Sequence, residues 1–230
     1  GFLEKLELFL YRRSNLIISV TESFKYDLIK RGIDADKIKV VNNGVDLKSF
    51  NPRNKDSELL KIYNLKGKFV AGYIGTHGTA HGLEIILEVA NSVRLLPGGD
   101  QFRFIFIGEG SAKIALQKQA AELGLKNVIF IDAIPKQNIT RYWSLLDVSI
   151  IHLRKVDLFK TVIPSKLFEC MAMSVPVLHG VQGESAEIVK SNAVGFLFDP
   201  ENAIDLLKHL IILKKNPVLY QDYKKNGPIV

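Results

Sequence analysis

Short apolar segments alternate with amphipathic helical patterns along the sequence, and this alternation restricts the possible folds more than any single motif does. Eight segments rich in Val, Ile and Phe are typical of buried strands: Leu16–Val20, Ile38–Val41, Phe69–Gly75, Phe102–Gly108, Val128–Asp132, Val148–Leu153, Val175–Gly180 and Gly195–Asp199. Apolar residues at helical spacing lie between them, such as Leu83, Ile86, Leu87 and Ala90, and Ile114, Leu116, Ala120 and Leu123. Strands that are apolar throughout and alternate with helices indicate a parallel sheet covered on both faces. The predicted fold class is therefore α/β, with a doubly wound parallel sheet.

The alternation is interrupted at Asn42–Asp46, where an Asn-Gly pair favours a sharp turn. The following stretch, residues 46–57, has few large apolar residues, which is typical of a linker between two units. The part before it supplies only two strands and about two helices, too few for a closed sheet. We therefore expect residues 1–45 to be the last elements of a preceding domain with a hinge, and residues 46–230 to form the main domain.

The start of the chain has two features of its own. It opens at Gly1 inside an apparent helix, with no signal sequence before it, so we interpret it as a piece of a longer protein that is not secreted. The opening helix is amphipathic, and we expect its apolar side to dock on the rest of the preceding domain rather than on a membrane. That side consists of Phe2, Leu6, Phe9 and Leu10.

The composition excludes several classes of protein. Of the 230 residues 47% are hydrophobic, and no apolar run approaches the roughly 20 residues that a transmembrane helix needs. A single cysteine, Cys170, excludes a disulfide framework and a four-cysteine zinc site, and fits a reducing compartment. The net charge of +7 comes from 31 Lys+Arg against 24 Asp+Glu, and the two signs are interspersed. This distribution favours a phosphorylated substrate or an anionic membrane surface over nucleic acid as a partner.

Ligands of open parallel sheets bind beyond the carboxyl ends of the strands, and three candidate segments lie there. The first is the Gly-rich loop 75–82, in which Gly75 and Gly82 allow a ligand to approach the backbone and His81 is placed to add a donor. Its spacing is neither a dinucleotide fingerprint nor a P-loop, so a plain turn with surface histidines stays an alternative. The second segment is Gly108–Gly110, which by itself indicates an ordinary β-to-α turn.

The third segment, Pro164–Glu169, opens a predicted helix, since proline suits a first helical turn. Glu169 lies within an apolar run, and a buried carboxylate needs a dedicated partner. Lys166 and Glu169 are three residues apart and share one helix face near its positive end. A cation with backbone N–H groups suits a phosphate, and a carboxylate can accept both hydroxyls of a ribose. The alternative is a surface Lys-Glu pair, which the apolar flanks disfavour.

The remaining reactive side chains suggest no other chemistry. We expect His152 and His179, which end apolar strands, to be hydrogen-bonded structural residues, and His209 to lie in an amphipathic helix. Nowhere do His, Asp and Glu have the spacing of metal ligands. The apolar neighbours of Cys170 predict an inert thiol.

Several blocks of the sequence resemble the family 4 (group 1) glycosyltransferases, in the order of that family and over nearly the whole chain. They are residues 16–51, 75–82, 108–111, 164–172 with Val175-Pro176-Val177, and Gly195 with 199–202. The first block and the Pro-Ser-Lys-Leu-Phe-Glu block are specific to the family, and the Gly-rich loops are not. The resemblance implies a GT-B architecture, in which two Rossmann-like domains face each other across a cleft. This chain would carry the C-terminal, donor-binding domain.

The resemblance also implies an activity. It predicts retaining transfer of a hexosyl or acetamido sugar from a nucleotide-diphosphate sugar to a glycan or lipid-linked acceptor, with no cofactor and no metal. The Pro-Ser-Lys pattern is similar to that of bacterial enzymes of polysaccharide or lipopolysaccharide synthesis. We therefore expect a cytoplasmic protein, peripheral on the inner membrane. Without its N-terminal acceptor domain, this chain is expected to be inactive.

By position, the resemblance assigns the ribose hydroxyls to Glu169, the diphosphate to the loop 75–82 and the base to the backbone at Ile134. The donor-binding residues that it implies are Gly75, Thr76, His81, Gly82, Gly108, Gly110, Ile134, Thr161, Pro164, Ser165, Lys166 and Glu169.

Two features depart from the family's pattern. Thr76 and His81 replace the Arg and Lys that commonly grip the diphosphate, and Thr161 replaces the first of two glutamates. Since neutral histidine dominates at pH 7, two positive charges are missing. We expect Lys166 and helix N-termini to hold the phosphates instead, and backbone groups of residues 162–165 to replace the first glutamate. A non-catalytic nucleotide-binding or assembly module is the main alternative. A GT-B epimerase is disfavoured, because the carboxylate and histidine residues of such an enzyme are not evident in this sequence.

Overall fold

The computed structural model describes residues 1–229, so Val230, the last residue of the predicted 46–230 unit, lies outside the described residues. The strands are β1 (Ile17–Ser19), β2 (Ile38–Val40), β3 (Phe69–Ile74), β4 (Phe102–Ile107), β5 (Val128–Ile131), β6 (Val148–His152), β7 (Val177–Gly180) and β8 (Gly195–Leu197). The α-helices are α1 (Phe2–Arg13), α2 (Glu22–Lys30), α3 (Ser57–Ile62), α4 (Glu84–Val93), α5 (Lys113–Glu122), α6 (Ile139–Trp143), α7 (Lys166–Ala172), α8 (Glu184–Ser191), α9 (Ala203–Lys215) and α10 (Pro217–Asn226). Each predicted strand is present, shortened by one or two residues in all.

Six strands form one parallel sheet in the order β5-β4-β3-β6-β7-β8. The chain therefore starts in the middle of the sheet, builds outward to β5, and then returns to build the other half from β6. This is the doubly wound arrangement that the sequence predicts, and its strand order reverses between β3 and β6. Both strands end in loops at the same edge, where a crevice forms.

Helices cover both faces of the sheet because its strands are apolar on both sides. Along β3, Val70 and Ile74 face one core cluster while Ala71 and Tyr73 face the other. The first cluster includes residues of α3, α6, α7 and α8, and the second includes residues of α4, α5 and α9. No helix within residues 1–229 is long and apolar enough to cross a membrane.

Residues 1–45 form a smaller layer with a separate two-stranded parallel sheet of β1 and β2. Its own core consists of Ile17, Leu28, Ile33 and Ile38, against which Leu8 and Tyr11 of α1 pack. The predicted docking side of α1 is exposed to solvent in the described chain, at Phe2, Leu6, Phe9 and Leu10. The division of the chain near residue 45 stays a prediction.

This layer contacts the larger one through a few hydrogen bonds. The Thr21 hydroxyl donates to the carbonyl oxygen of Thr161 at 3.0 Å. The Glu184 carboxylate of α8 accepts from the backbone N–H groups of Glu22 and Ser23 in the first turn of α2, at 3.3 and 3.0 Å. A carboxylate is favourable there, because the first N–H groups of a helix lack partners within it.

Two local predictions need correction. Ile114 does not belong to the buried face of α5, since its side chain is 81% exposed while Lys113, Leu116 and Ala120 face inward. The stretch 46–57 is irregular, as expected of a linker, but Phe50 within it is buried in the core of the larger layer. The linker is therefore packed against that layer at this point.

Candidate functional site

The loops that follow β3 and β6 meet at the edge where the strand order reverses. The loop after β3 is the Gly-rich segment 75–82, and it contains a single 3-10 turn, Thr79–His81. The helix predicted near Gly82 starts slightly later, at Glu84. Backbone bonds fix the start of this loop to the next strand and loop: Gly75 N–H donates to the Ile107 carbonyl at 2.9 Å, and His77 N–H to the Glu109 carbonyl at 2.7 Å.

Gly108 and Gly110 have a packing role at this junction. A β-carbon at Gly108 would overlap the carbonyl oxygen of Gly75, and one at Gly110 would overlap the backbone of His77. Both glycines also have positive φ, which other residues rarely adopt. The sequence alone indicated an ordinary β-to-α turn at these glycines. The structure places them where they let two loops approach each other.

The two histidines of the Gly-rich loop differ in position. His77 is fully buried, with its ring against Tyr73 and Phe106, so the alternative of a turn with surface histidines does not fit it. His81 is half-buried at the cavity described next. Burial lowers the pKa of both His77 and His81 to about 4. Both rings are therefore neutral at pH 7.

A small cavity of about 290 Å³ lies between the loops after β3 and β6. It brings together six of the predicted donor-binding residues: Gly75, Thr76, His81, Pro164, Ser165 and Lys166. The remaining lining comes from the end of β6 with Leu153, and from Val162. We call it the small cavity.

Lys166 supplies the cation of the small cavity. It is the first residue of α7, after the N-cap Ser165, so Pro164 lies just before the helix rather than in its first turn. The Lys166 Nζ donates to the Tyr73 hydroxyl at 2.8 Å and lies 4.0 Å from the centre of that ring. Burial lowers the pKa of Lys166 to about 8. A carboxylate partner is absent from these contacts, since the ion pairs found within residues 1–229 do not join Lys166 to Glu169.

Glu169 lies one turn further along α7 and is half-buried. Its Oε2 accepts a hydrogen bond from the Trp143 indole N–H at 3.2 Å, which is the dedicated partner that the apolar surroundings require. Burial raises the pKa of Glu169, although this hydrogen bond and the Lys166 charge oppose the shift. The disfavoured alternative, a surface pair of Lys166 and Glu169, is not formed within residues 1–229, where each side chain has a partner of its own.

Glu169 lines a second, larger cavity of about 680 Å³, which we call the large cavity. The other walls are the linker, with residues 44–46, 48–50 and Arg53, and the start of α6 with the preceding turn, at Lys136, Gln137 and Thr140. Three basic side chains line it: Lys48, Arg53 and Lys136. Sequence reasoning missed these residues, since neither a linker nor a turn marks them as site residues.

Besides Gly108 and Gly110, three predicted site residues lie outside both cavities. Thr161 ends a 3-10 turn, and its hydroxyl donates to the Leu158 carbonyl at 2.9 Å. Ile134 packs against the core below the end of β5. Gly82 has a left-handed conformation, and a β-carbon there would lie 2.9 Å from the His152 ring. Their predicted roles toward a donor are not tested by these positions.

His152 and Arg154, at the end of β6, hold the Gly-rich loop in place. The His152 Nδ1 faces the His81 carbonyl at 2.7 Å, and its Nε2 accepts from the Glu201 N–H at 2.9 Å, so the ring proton is on Nδ1. The Arg154 Nε donates to the Thr79 carbonyl at 2.8 Å, and its guanidinium pairs with Glu84 and Glu201. The expectation of a hydrogen-bonded, structural His152 is confirmed.

His179 and Cys170 are also structural. The His179 Nε2 contacts the Ser185 hydroxyl at 2.9 Å, and burial lowers the pKa of His179 to about 3. Cys170 is fully buried, and this burial raises the pKa of its thiol, as expected of an inert cysteine. Neither group lines the small or the large cavity.

The two cavities therefore offer different chemistry on either side of α7. The small cavity combines a cation with a Gly-rich loop, in which the N–H group of the lining residue Thr76 makes no hydrogen bond within residues 1–229. Such a combination suits an anion. The large cavity presents the Glu169 carboxylate, which suits hydroxyl groups, and basic side chains.

Comparison with known proteins identifies the family of this chain. A family model described as "Glycosyl transferases group 1" matches residues 55–229. The chain belongs to the group 1 glycosyl transferases. A second model, "Glycosyltransferase Family 4", matches residues 1–49, so the two matches meet in the segment that the sequence predicts to be a linker.

Related glycosyltransferases include proteins of polysaccharide biosynthesis. The amylovoran biosynthesis glycosyltransferase AmsK of Erwinia amylovora is 23% identical over 88% of this chain and 48% of its own length. The sulfoquinovosyl transferase SQD2 of Arabidopsis thaliana is 26% identical over 88% of this chain and 38% of its own length. A putative colanic acid biosynthesis glycosyltransferase, WcaL of Escherichia coli K12, is 24% identical over 84% and 46%. The chain thus spans half or less of the length of these relatives.

Solved structures of glycosyltransferases have the same fold. Anabaena Alr3699/HepE in complex with UDP and glucose superposes with a TM-score of 0.85, at 20% identity, over 98% of this chain and 60% of that chain. A mutant of S. aureus TarM in complex with Fondaparinux, alpha-GlcNAc-glycerol and UDP gives 0.78, at 18% identity, over 100% and 43%. The expected fold of this glycosyltransferase chain, a Rossmann-like doubly wound unit of GT-B type, is confirmed.

Proposed function

We propose that this chain is the donor-binding part of a retaining glycosyltransferase. The full protein would transfer a hexosyl or acetamido sugar from a nucleotide-diphosphate sugar to a glycan or lipid-linked acceptor in polysaccharide or lipopolysaccharide synthesis. The observation that carries the proposal is the arrangement on α7, where Lys166 and Glu169, one turn apart, line two cavities at the crevice edge of the sheet.

The large cavity is the proposed site of the nucleoside. Glu169 would accept hydrogen bonds from the ribose hydroxyls, since its Oε2 is held by Trp143 while the carboxylate still lines the cavity. The base would lie toward the turn that contains Ile134 and Lys136, where the family's backbone meets it. UDP and glucose are present in the Alr3699/HepE complex, which supports a nucleoside diphosphate as the ligand class.

The small cavity is the proposed site of the diphosphate. Lys166 would supply the positive charge, and the N–H group of Thr76 would donate to a phosphate oxygen. The rest of the Gly-rich loop would need little rearrangement, because backbone bonds to the neighbouring loop and the Arg154 side chain already fix it. Electrostatic stabilisation by groups held in advance is an efficient form of catalysis.

The chemistry requires little from side chains of this chain. The bond between the anomeric carbon and the diphosphate oxygen breaks, and the acceptor oxygen forms its new bond on the same face. The acceptor proton passes to an oxygen of the leaving phosphate. Lys166 would stabilise the negative charge that develops on this leaving group, and catalysis would rest on charge stabilisation and positioning.

Residues 1–45 would be the last elements of an N-terminal acceptor domain, followed by the hinge. Their separate core and the exposed apolar side of α1 support this division. The acceptor site would lie in that domain, so this chain alone would be inactive. We place the full protein in the cytoplasm, peripheral on the inner membrane, where lipid-linked acceptors are available.

One observation favours a second candidate, a nucleotide-binding module without transfer activity. The Gly-rich loop contributes no cation at pH 7, since Thr76 is uncharged and burial lowers the pKa of His81 to about 4. A module of this kind would bind the nucleotide and transfer nothing.

Calorimetric titration of UDP and GDP into the protein tests the donor site. We expect at least one of them to bind, and Lys166→Ala to weaken it by roughly 10- to 100-fold, the range for hydrogen bonds to charged groups. Lys118→Ala is the matched control, because Lys118 lies on the exposed side of α5, where Glu122 is its one ion-pair partner within residues 1–229. Two results would refute the proposal. One is that neither nucleotide binds at millimolar concentration, and the other is that Lys166→Ala binds with unchanged affinity.

Transfer is tested with the full protein, a labelled nucleotide-sugar and an acceptor extract. NMR of the product reads the anomeric configuration, and an inverted product would refute retention. Intact nucleotide binding without hydrolysis or transfer of any donor sugar would favour the non-catalytic module.

A further inference from the structure

Tyr73 connects the cation of the small cavity to the Gly-rich loop. Its hydroxyl accepts from the Lys166 Nζ at 2.8 Å and donates to the Thr76 carbonyl oxygen at 2.8 Å. The aromatic ring itself lies under the ammonium group, with Nζ 4.0 Å from the ring centre. A single side chain on β3 thus contacts both parts of the structure that face the cavity.

The Tyr73 hydroxyl has no capacity left for a ligand. A phenol has one donor hydrogen, and the Thr76 carbonyl accepts it. The phenol oxygen in turn accepts a hydrogen bond from the lysine. The side chain is also only 1% exposed. Tyr73 therefore acts on a ligand in the small cavity only through the residues that it holds.

Lys166, in contrast, keeps donors for a ligand. An ammonium group has three hydrogens, and within residues 1–229 the Tyr73 hydroxyl is the one hydrogen-bond partner of Nζ. The position of Nζ is tightly defined from the loop side as well, because a β-carbon at Gly75 would lie 2.6 Å from it. The free hydrogens are thus held at the surface of the Gly-rich loop.

We propose that Tyr73 is a positioning residue for phosphate binding, which holds the Lys166 ammonium against the Gly-rich loop so that both bind the same diphosphate. The identity of the ligand in this inference rests on the proposed function. The contact between Tyr73 and Lys166 is independent of that function. The Lys166 ammonium is poorly solvated, because it is buried near the neutral rings of His77 and His81. Its cation–π contact and its hydrogen bond with Tyr73 both stabilise the charged form.

A double-mutant cycle tests the inference, with Tyr73→Phe, Lys166→Ala and the combined variant. The ligands are whichever of UDP and GDP binds and the corresponding nucleoside without phosphates. We expect Tyr73→Phe to weaken the diphosphate about tenfold and the nucleoside by less than about twofold. In the Lys166→Ala background the same substitution should have less than about a twofold effect, because Tyr73 acts through the lysine.

Tyr220→Phe is the matched control for loss of a phenol hydroxyl. Tyr220 has a half-buried ring, and its hydroxyl donates to Asp147 Oδ1 at 3.4 Å, away from the small cavity. Three results would overturn the inference: an unchanged diphosphate affinity of Tyr73→Phe, an equal loss for diphosphate and nucleoside, or a full tenfold loss in the Lys166→Ala background.

A second measurement needs no nucleotide. Acetic anhydride acetylates lysine amines, and mass spectrometry gives the rate at Lys166 relative to the exposed Lys118 of the same sample. Release of the amine from Tyr73 should raise this ratio about fivefold or more in Tyr73→Phe, in line with a lost hydrogen bond. An unchanged ratio would overturn the inference. If neither UDP nor GDP binds the wild-type protein, the proposed function fails, and the acetylation ratio still decides whether Tyr73 holds the lysine.

Discussion

Replacement of Glu169 by Gln separates the binding role of this residue from its structural role. The amide oxygen of Gln can accept the Trp143 indole N–H that Glu169 Oε2 now accepts at 3.2 Å, so the packing around α7 should be kept. Burial raises the pKa of Glu169, which means that the folded protein holds the ionised carboxylate less favourably than the unfolded chain does. A neutral Gln carries no such cost at pH 7. The free energy of unfolding should therefore stay the same or rise.

The affinity for a nucleoside diphosphate should change in the opposite direction. A carboxylate that accepts hydrogen bonds from the ribose hydroxyls contributes about 1.5–3 kcal/mol, the range for charged partners. Gln offers the ribose no charged acceptor, because its oxygen is engaged by Trp143 and its nitrogen is only a donor. A loss of about 2 kcal/mol corresponds to a roughly 30-fold weaker affinity.

Calorimetry with two ligands assays this directly. The wild-type protein should bind the 2′,3′-dideoxy form of the nucleotide about 30-fold more weakly than the ribose form, and Glu169→Gln should bind the two forms within about threefold of each other. Urea unfolding of the variant without ligand is the control. If Glu169→Gln discriminates between ribose and dideoxyribose as well as the wild type does, Glu169 does not bind the ribose. A loss of stability above about 1 kcal/mol would instead mean that the charge itself is structural.

Three further predictions concern other parts of the molecule. Gly75→Ala should weaken a nucleoside diphosphate about tenfold but not its nucleoside, as measured by calorimetry, because φ is +142° and the new β-carbon would displace Lys166 Nζ at 2.6 Å. Burial lowers the pKa of Lys166 to about 8, and the charged lysine is the form that binds phosphate. The affinity for the nucleoside diphosphate should therefore be level below about pH 8 and fall up to about tenfold per pH unit above it. Lys166→Ala should show no such fall. Gly195→Ala should lower the free energy of unfolding in urea by roughly 1–3 kcal/mol, because its β-carbon would overlap the Val177 carbonyl oxygen, whereas Gly44→Ala, with open space around it, should change it by less than about 0.5 kcal/mol.

The positions of the strands along the chain and their parallel type could be predicted because the information is local. A segment such as Val148–His152 has apolar residues on both faces, Val148 and Ile150 on one and Ile151 on the other, which is typical of a central strand in a covered sheet. The position of the crevice follows from the alternation of strands and helices, since connections in parallel sheets place all carboxyl ends at one edge. The ends of elements were less predictable, because helix starts such as that of α4 depend on the conformation of Gly82.

The direction of individual helix faces depends on tertiary contacts that the sequence pattern does not contain. Helix α5 offered an apolar stripe that included Ile114, yet Lys113 is the residue that faces inward. Its ammonium bonds to Glu109 at 2.5 Å and to Asp132 at 2.6 Å, at the ends of two adjacent strands. A fully buried lysine almost always has such partners, and Asp132 is 19 residues away in sequence. No pattern within one helix reveals this pair.

The same limit applies to the partners of the candidate site. Lys166 and Glu169 could be selected from one short segment, because their chemistry is unusual within an apolar run. Tyr73 and Trp143, which bond to them, are 93 and 26 residues away and look like ordinary core aromatics in the sequence. Only the polar ends of these rings distinguish them, and buried Tyr and Trp normally seek a hydrogen-bond partner. A search for such aromatics on neighbouring strands and helices would have narrowed the candidates.

The absence of an Arg and a Lys from the Gly-rich loop and the half-buried position of Lys166 are two aspects of one arrangement. Two like charges about 4 Å apart repel by about 4 kcal/mol at the effective dielectric constant of a protein surface. An arginine at Thr76, whose carbonyl shares the Tyr73 hydroxyl with Lys166, would lower the pKa of the lysine further and favour its uncharged form. With Thr76 uncharged and His81 neutral at pH 7, the ammonium of Lys166 is the one cation among the residues that line the small cavity. A single charge attracts phosphate more strongly there than in water, because the same low dielectric constant that lowers its pKa strengthens its attraction to an anion.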